Sequence, residues 1–511
     1  ENTSGGIRAL DSMSAGNATD NTAIGYEALT ANTTGDANTG IGASSLNANT
    51  TASNNTGIGF RALRLNTTGQ YNTAVGSVSL DKNTTASNNT AIGYGALNSN
   101  TTGANNTGLG YLSLSANTTG DTNTAVGGQS LYNNTTASYN TAIGYNALYN
   151  TTTGVENTVI GTQAGDANTT GSHNVAVGRH ALGENTTAND NTAVGLFALG
   201  SNTTGLYNVG IGNSALRNAT TADANTAIGF HAARSTTTGY NNVAIGYAAL
   251  VSNTTGNNNI AIGNNALDVA STASYNTAIG FNALTDNTTG SNNHAIGNGS
   301  QENTTTGNYN VSLGGGTLNA NTTGSSNTAV GHEALQVATA SNNTAVGKSA
   351  LLANTTGTQN TGIGLQALKS NTTGDYNVAL GVNALLNNTT ASNNVAVGVN
   401  AMNQNTTGSS NTALGYSVMN ANTTGIQNTA VGANALDANT TGNDNCAFGH
   451  HALGVNTTGT RNTAFGKSAL SDATTANYNV AIGSQVLDAN TTGSYNVGIG
   501  VSALTDSTTA D

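Results

Sequence analysis

The residues most able to carry chemistry in this chain are asparagines that open an Asn-Thr-Thr turn. Asn-x-Thr is the acceptor pattern for N-linked glycosylation. The candidate acceptors are Asn32, Asn49, Asn66, Asn83, Asn100 and Asn117. The same asparagines can instead form a ladder, with amide side chains hydrogen-bonded from one coil to the next. The sequence favours the ladder, because a turn rich in Asn and Thr creates the acceptor pattern by itself.

Tyrosines recur at a second position, directly before the asparagine that opens a unit. Surface tyrosines next to Asn and Asp can stack on sugars or proteins. The sequence therefore predicts a surface ligand patch at Tyr71, Tyr139, Tyr207, Tyr275, Tyr309, Tyr376, Tyr478 and Tyr495. A second set follows the repeat glycine: Tyr26, Tyr94, Tyr111, Tyr145, Tyr247 and Tyr416. The alternative is that these rings only cover the edges of turns.

The remaining polar residues offer weaker sites. Thr101 and Thr102 are typical of paired threonines that suggest ice binding, but neighbouring residues point in different directions. The seven histidines are scattered, without metal-ligand spacing. His294 and Cys446 stand where other units have threonine, and we expect both to be buried. Paired carboxylates, a Ser/His/Asp set and phosphate loops do not stand out. The sequence thus predicts no enzyme, no cofactor and no metal site.

One repeated unit positions all of these residues. It is clearest in residues 89–105, which read N-T-A-I-G-Y-G-A-L-N-S-N-T-T-G-A-N, and it returns every 17 residues. A short fixed period indicates a solenoid that grows by stacking. We expect one continuous repeat domain over residues 1–511 with about 30 coils. Its irregular parts are a first coil at 2–20, a 16-residue coil at 327–342 and an incomplete last coil at 496–511.

A unit of this length has room for two short strands and two turns, so the predicted fold is all-β, a parallel β-solenoid or β-roll. Alternation in the first strand places Thr90 and Ile92 on one face and Ala91 and Gly93 on the other. We expect the Thr/Ile face to be buried, Gly93 to have positive φ, and Ala-Leu-x-x-Asn-Thr to be the second strand. Such a core is thin, which favours trimers that meet through an outward row of Ala and Gly.

The composition limits the classes of partner that the chain could bind. The net charge is −12 with only 11 Lys plus Arg, so nucleic acid is excluded as a partner. No apolar run reaches the ~20 residues that span a bilayer. We expect the chain to be an excised piece of a longer protein whose targeting segment is missing.

The five-residue core of the unit resembles a known family. Residues 140–144 read N-T-A-I-G and residues 479–483 read N-V-A-I-G, and nearly every unit has this core, followed by Ala-Leu. It is similar to the YadA-like head repeat of trimeric autotransporter adhesins; repeats in virus and phage tail fibres are also similar. The resemblance implies a left-handed β-roll, three chains per head, and binding to matrix or host-cell partners. The 17-residue period and the Asn-Thr-Thr half depart from that family.

The expected function is a structural or adhesive segment of an extracellular, cell-surface fibre, similar to a trimeric adhesin shaft or head. Its partners are other copies of the chain, as a homotrimer or filament, with glycans or host proteins as further candidates. This segment is not expected to insert into a membrane. The alternatives are a subunit that stacks end to end into an extracellular filament, a viral or phage fibre, and, with less support, an ice-binding protein.

Overall fold

The computed structural model describes residues 1–12 and 18–509, so the first predicted coil (2–20) and the last (496–511) are described only in part. The described residues form three-residue strands joined by turns, and they contain no helix. The chain divides into unit 1, Glu1–Asn257, and unit 2, Asn258–Asp511. Each unit is described by itself.

Unit 1 has one strand per coil. Its strands are β1 (Thr3–Gly5), β2 (Thr22–Ile24), β3 (Thr39–Ile41), β4 (Thr56–Ile58), β5 (Thr73–Val75), β6 (Thr90–Ile92), β7 (Thr107–Leu109), β8 (Thr124–Val126), β9 (Thr141–Ile143), β10 (Thr158–Ile160), β11 (Val175–Val177), β12 (Thr192–Val194), β13 (Val209–Ile211), β14 (Thr226–Ile228) and β15 (Val243–Ile245).

Unit 2 repeats the same arrangement. Its strands are β16 (Ile260–Ile262), β17 (Thr277–Ile279), β18 (His294–Ile296), β19 (Val311–Leu313), β20 (Thr328–Val330), β21 (Thr344–Val346), β22 (Thr361–Ile363), β23 (Val378–Leu380), β24 (Val395–Val397), β25 (Thr412–Leu414), β26 (Thr429–Val431), β27 (Cys446–Phe448), β28 (Thr463–Phe465), β29 (Val480–Ile482) and β30 (Val497–Ile499).

Within each unit, neighbouring strands pair in parallel and in repeat register. Thr90 pairs with Thr107, one unit further along the chain. The short coil keeps this register, because Thr328 pairs with Thr344 although only 16 residues separate them. The predicted fold class is therefore confirmed: the described residues form a parallel β-solenoid with about 29 turns of about 17 residues.

The direction of the strand side chains is opposite to our prediction. Ala91 is fully buried, whereas Thr90 is half-buried and Ile92 is exposed. The predicted alternation is correct, but the small side chains point inward. The Ala/Gly row is therefore not an outward contact face. The interior has little space at this point, since a Cβ on Gly108 would lie 3.4 Å from Cγ of Leu97.

The predicted second strand is absent from the described residues, where turns follow the first strand. Leu97 has a φ of 52°, and Gly95 before it has a φ of 65°. These left-handed conformations interrupt an extended chain. The turn still bonds to the next coil, because the N–H of Leu97 donates to the carbonyl oxygen of Ser113 at 3.0 Å.

Most coils enclose the predicted leucine, but small residues and amides take the place of the predicted Ile and Thr. Ala91, Ala96 and Leu97 are fully buried, and so are the side chains of Asn89 and Asn100. A buried leucine contributes roughly 1.5–3 kcal/mol. The two asparagines bond to neighbouring coils, as the ladder interpretation predicts.

The glycine that ends each strand has the predicted positive φ. Gly93 has a φ of 134°, and an added Cβ would lie 2.4 Å from the carbonyl oxygen of Gly110 in the next coil. Backbone conformation and close stacking both require glycine here.

Candidate interaction surfaces

The outward side chains of the strands form a surface without Asp, Glu, Lys or Arg. From β2 to β30, the first and third strand residues are Thr, Val, Ile, Leu or Phe, apart from His294 and Cys446. We call these two rows, within each unit, the outer strip. The rows follow the parallel register of the strands, so residues of the same type lie side by side in successive coils.

The outer strip leaves large apolar side chains in contact with solvent. Ile92 is 39% exposed in unit 1, and Leu313 is 48% exposed in unit 2. Single exposed apolar residues are ordinary, but contiguous apolar surface on a protein marks an interaction site. The strip is therefore the surface with the clearest reason to bind a partner.

Aromatic side chains extend the outer strip on the far side of the strand glycine. Tyr94 and Tyr111 stack with ring centroids 5.7 Å apart. Phe230 and Tyr247 stack at 5.5 Å. Both pairs come from successive coils, so the solenoid aligns rings that are 17 residues apart. These stacked rings add apolar area next to the strip.

The eight tyrosines of the predicted ligand patch are all exposed, but most lie far from one another. The exposed residues are Tyr71, Tyr139, Tyr207, Tyr275, Tyr309, Tyr376, Tyr478 and Tyr495. Tyr71 and Tyr139 are four coils apart, about 19 Å at the spacing of β-strands. The structure brings together only Tyr478 and Tyr495 from this set, stacked at 4.9 Å among the described residues. Ligand binding by these tyrosines stays a prediction.

The six asparagines of the glycosylation hypothesis, Asn32, Asn49, Asn66, Asn83, Asn100 and Asn117, are fully buried. Nδ2, the atom that would carry a glycan, donates a hydrogen bond inside the coil in each case. In Asn32 it donates to the carbonyl oxygen of Gly35 at 2.9 Å. A glycan there would require the coil to open, so the folded solenoid leaves no room for it.

Two residues that we expected to be buried lie on the outer strip. His294 is exposed, because its position faces outward. Cys446 is half-buried for the same reason, and this partial burial raises the pKa of its thiol. Both predictions are wrong because the strand face that we expected to be buried points outward.

The correct faces have a signal in the sequence that we missed. Val159 is the large residue at the buried alanine position, and its coil has Gly165 in place of leucine. A Cβ on Gly165 would lie 3.7 Å from Cγ2 of Val159. Ser312 is also at the alanine position, and Nε2 of Gln301, a leucine replacement, donates to its Oγ at 2.8 Å. Paired changes at two positions show that those positions meet inside.

Among the described residues, no group of three or more His, Cys, Asp or Glu side chains is arranged to hold a metal ion. None of the described residues form a helix of the length and apolarity that a membrane crossing requires.

No protein-family model matches this chain, and no curated protein matches it in sequence.

Proposed function

We propose that this chain is a structural and adhesive segment of an extracellular fibre, in which three copies associate through their outer strips. The observation that carries the proposal is the strip itself, an apolar surface that repeats in register along each unit. The resemblance of N-[TV]-A-[IV]-G to the heads of trimeric autotransporter adhesins supports the same assembly.

A threefold arrangement suits a solenoid with one apolar face. In a closed cyclic trimer, each copy directs the same surface toward the common axis, and the strips are removed from water together. Burial of apolar area contributes about 25 cal/mol per Å². Each added coil therefore adds stabilising contact, so a long repeat array favours association more than a short one.

The test is the solution mass of the chain, measured by analytical ultracentrifugation over a range of concentrations. The variant I92K/L109K/V126K places charges on three adjacent strands of the outer strip. The matched control T102K/T119K/T136K places the same charges on exposed turn residues of the same coils. We expect a stable trimer for the wild type and the control, and dissociation of the strip variant.

Three outcomes would overturn the proposal. A wild-type monomer at all concentrations excludes association, and growth without an end point indicates a filament instead. Equal disruption by the strip and control variants places the interface elsewhere. Circular dichroism of all three proteins separates lost association from lost folding.

Ice binding is a second candidate, favoured by the regularity of the outer strip. Its first row is mostly threonine, repeated at the strand spacing of about 4.8 Å. These strand threonines are different residues from the paired turn threonines, such as Thr101 and Thr102, that first suggested ice binding. Thermal hysteresis of the monomeric strip variant and of the wild type tests it: activity in the wild type that the strip variant loses supports ice binding, and no activity in either excludes it.

A further inference from the structure

A groove of about 370 Å³ opens on the surface of unit 1. This volume falls within the range of small-molecule sites. Its lining comes from consecutive coils and includes Asn150, Asp166, His180, Glu184, Phe197 and Arg217. The groove therefore runs along the direction in which the coils stack. None of the functions considered above uses it.

Two glycines create the groove. Gly183 and Gly200 occupy the same position in successive coils, directly after the buried leucine. Elsewhere this position has side chains as large as Arg64 or Tyr132. The rings beside the glycines are held in place, because His180 stacks on Phe197 with centroids 5.1 Å apart. The space above the glycines thus stays open.

Opposite charges lie at opposite ends of the groove. Asp166 and Glu184 form the acidic end. Burial raises the pKa of Asp166, repulsion from Glu184 adds to the rise, and His180 opposes it. Arg217 forms the basic end, with its guanidinium carbon 4.7 Å from the ring centroid of Phe197. Asp166 and Arg217 are three coils apart, about 14 Å at the strand spacing.

We propose that this groove binds a short zwitterionic peptide, with the amino terminus at Asp166 and Glu184 and the carboxylate at Arg217. An extended peptide advances about 3.4 Å per residue, so about four residues span the two ends. An ammonium group relieves the repulsion between the two carboxyl groups. The guanidinium accepts the carboxylate in the paired geometry that arginine favours.

Two other ligand classes fit less well. A sugar ring needs a free aromatic face, but Phe197 has His180 on one side and Arg217 close to its ring. A metal ion is disfavoured because the groove residues do not form a metal-binding group among the described residues. A bipolar peptide uses both charged ends, whereas these ligands use one or neither.

Unit 2 contains a natural control. Asp437, His451 and Gly454 have the same spacing as Asp166, His180 and Gly183, and burial likewise raises the pKa of Asp437. The other groove residues differ: Ser468, Ser471 and Asp488 replace Phe197, Gly200 and Arg217. The His451 ring also covers Gly454, whose added Cβ would lie 2.3 Å from it. This copy lacks both the basic end and the open floor.

The test uses the full chain and three probes, in isothermal titration calorimetry: tetra-alanine, N-acetyl-tetra-alanine and tetra-alanine amide. The proposal predicts one site per chain for tetra-alanine and a loss of roughly tenfold or more in affinity on blocking either end. R217Q should remove the preference for the free carboxylate only. D166N/E184Q should remove the preference for the free amine only. D437N should change neither preference.

The wild-type titrations alone can overturn the proposal, whatever the variants do. Equal affinity for all three probes excludes recognition of the charged ends, and no binding at millimolar tetra-alanine excludes the site. An effect of D437N equal to that of D166N/E184Q assigns the binding to general acidity. The proposal is independent of fibre assembly, because the groove residues lie outside the outer strip.

Discussion

The two buried rows of asparagine differ in how many interruptions they tolerate. The strand-start row is the asparagine that opens each coil, and from Asn21 to Asn496 every coil has it. The turn row is the asparagine of the Asn-Thr-Thr turn. It is interrupted in several coils, at Thr151, Ala219, Thr236, Ala270, Thr304, Ala338, Ala473 and Ser507. Both rows are buried, so burial alone does not explain the difference.

The groups bonded by each row explain it. Oδ1 of Asn89, in the strand-start row, accepts the backbone N–H of Asn106 in the next coil at 2.9 Å. Oδ1 of Asn100, in the turn row, accepts the side-chain amide of Asn117 at 2.8 Å. Backbone N–H groups are present in every coil and must be satisfied when buried. A side-chain donor can be lost by substitution in one coil.

Several interruptions leave a buried amide oxygen without a partner in the coil before them. Asn134 precedes Thr151, Asn202 precedes Ala219, and in both the buried Oδ1 has no hydrogen-bond partner. Unit 2 shows the same at Asn456, which precedes Ala473. A buried acceptor without a partner costs roughly 1–3 kcal/mol. The turn row tolerates this loss of stability in a few coils, whereas the strand-start row has no interruption that would cause it.

The largest expected effect comes from aspartate, which removes the side-chain donor of either row and leaves a buried charge in its place. In the wild type, Nδ2 of Asn100 donates to Oδ1 of Asn83 and to the carbonyl oxygen of Gly103. In N100D, a carboxylate faces these two acceptors instead. We expect a loss of roughly 3–5 kcal/mol, as for an uncompensated buried charge. N89D keeps its bond from the N–H of Asn106. Its carboxylate likewise faces two acceptors, the carbonyl oxygen of Gly103 and Oδ1 of Asn72, so we expect a loss of similar size.

The aspartate variants are measured by urea unfolding and by hydrogen exchange of the substituted coil, at several pH values. Burial raises the pKa of the introduced carboxyl group, so its folded state binds more protons than its unfolded state. The deficit is therefore full above the folded pKa, shrinks as the pH falls from that pKa toward the unfolded value of about 3.9, and is absent below it. A pH-independent deficit would contradict the burial of the introduced carboxylate beside these acceptors.

Alanine, unlike aspartate, should distinguish the two rows. N89A removes the acceptor for the backbone N–H of Asn106, and we expect a loss of about 2–4 kcal/mol. N100A leaves Oδ1 of Asn83 without a donor, as the natural interruptions do, and should cost about 1–2 kcal/mol. Hydrogen exchange should quicken most in the coil after Asn89. Equal losses would show that the two rows are interchangeable and that their different tolerance has another origin.

The asparagine rows also show how far the sequence predicts this fold. The period, the parallel stacking, the amide ladder and the positive φ of Gly93 follow from the spacing of Asn and Gly. The burial of Ala91 instead of Ile92 does not, because hydrophobicity alone places isoleucine inside. The deciding facts are the width of the coil and the left-handed Leu97, which fills the space opposite the strand. Both depend on packing between coils.

Some of the candidate surfaces could be predicted from the sequence, and others could not. The sequence identified tyrosines that the structure finds exposed, but it missed the outer strip because the strand faces were inverted. It also missed the charged groove, whose residues are up to 67 positions apart, from Asn150 to Arg217. Side chains of successive coils become neighbours only when the register is known. A search of the sequence at 17-residue offsets would have found Gly183 next to Gly200.

The smallest expected effect is a repair of the turn row. A473N supplies an amide to the unpartnered Oδ1 of Asn456, and its own Oδ1 can accept Nδ2 of Asn490 in the next coil, so we expect a gain of about 1 kcal/mol in the free energy of unfolding. T236N is the control: it adds asparagine at the same position of a coil in unit 1, but Ala219 in the coil before offers no side-chain acceptor. The urea midpoint should therefore rise for A473N and change less for T236N. If both rise equally, the gain comes from better packing of asparagine in the turn, and the missing hydrogen bond at Asn456 carries no measurable cost.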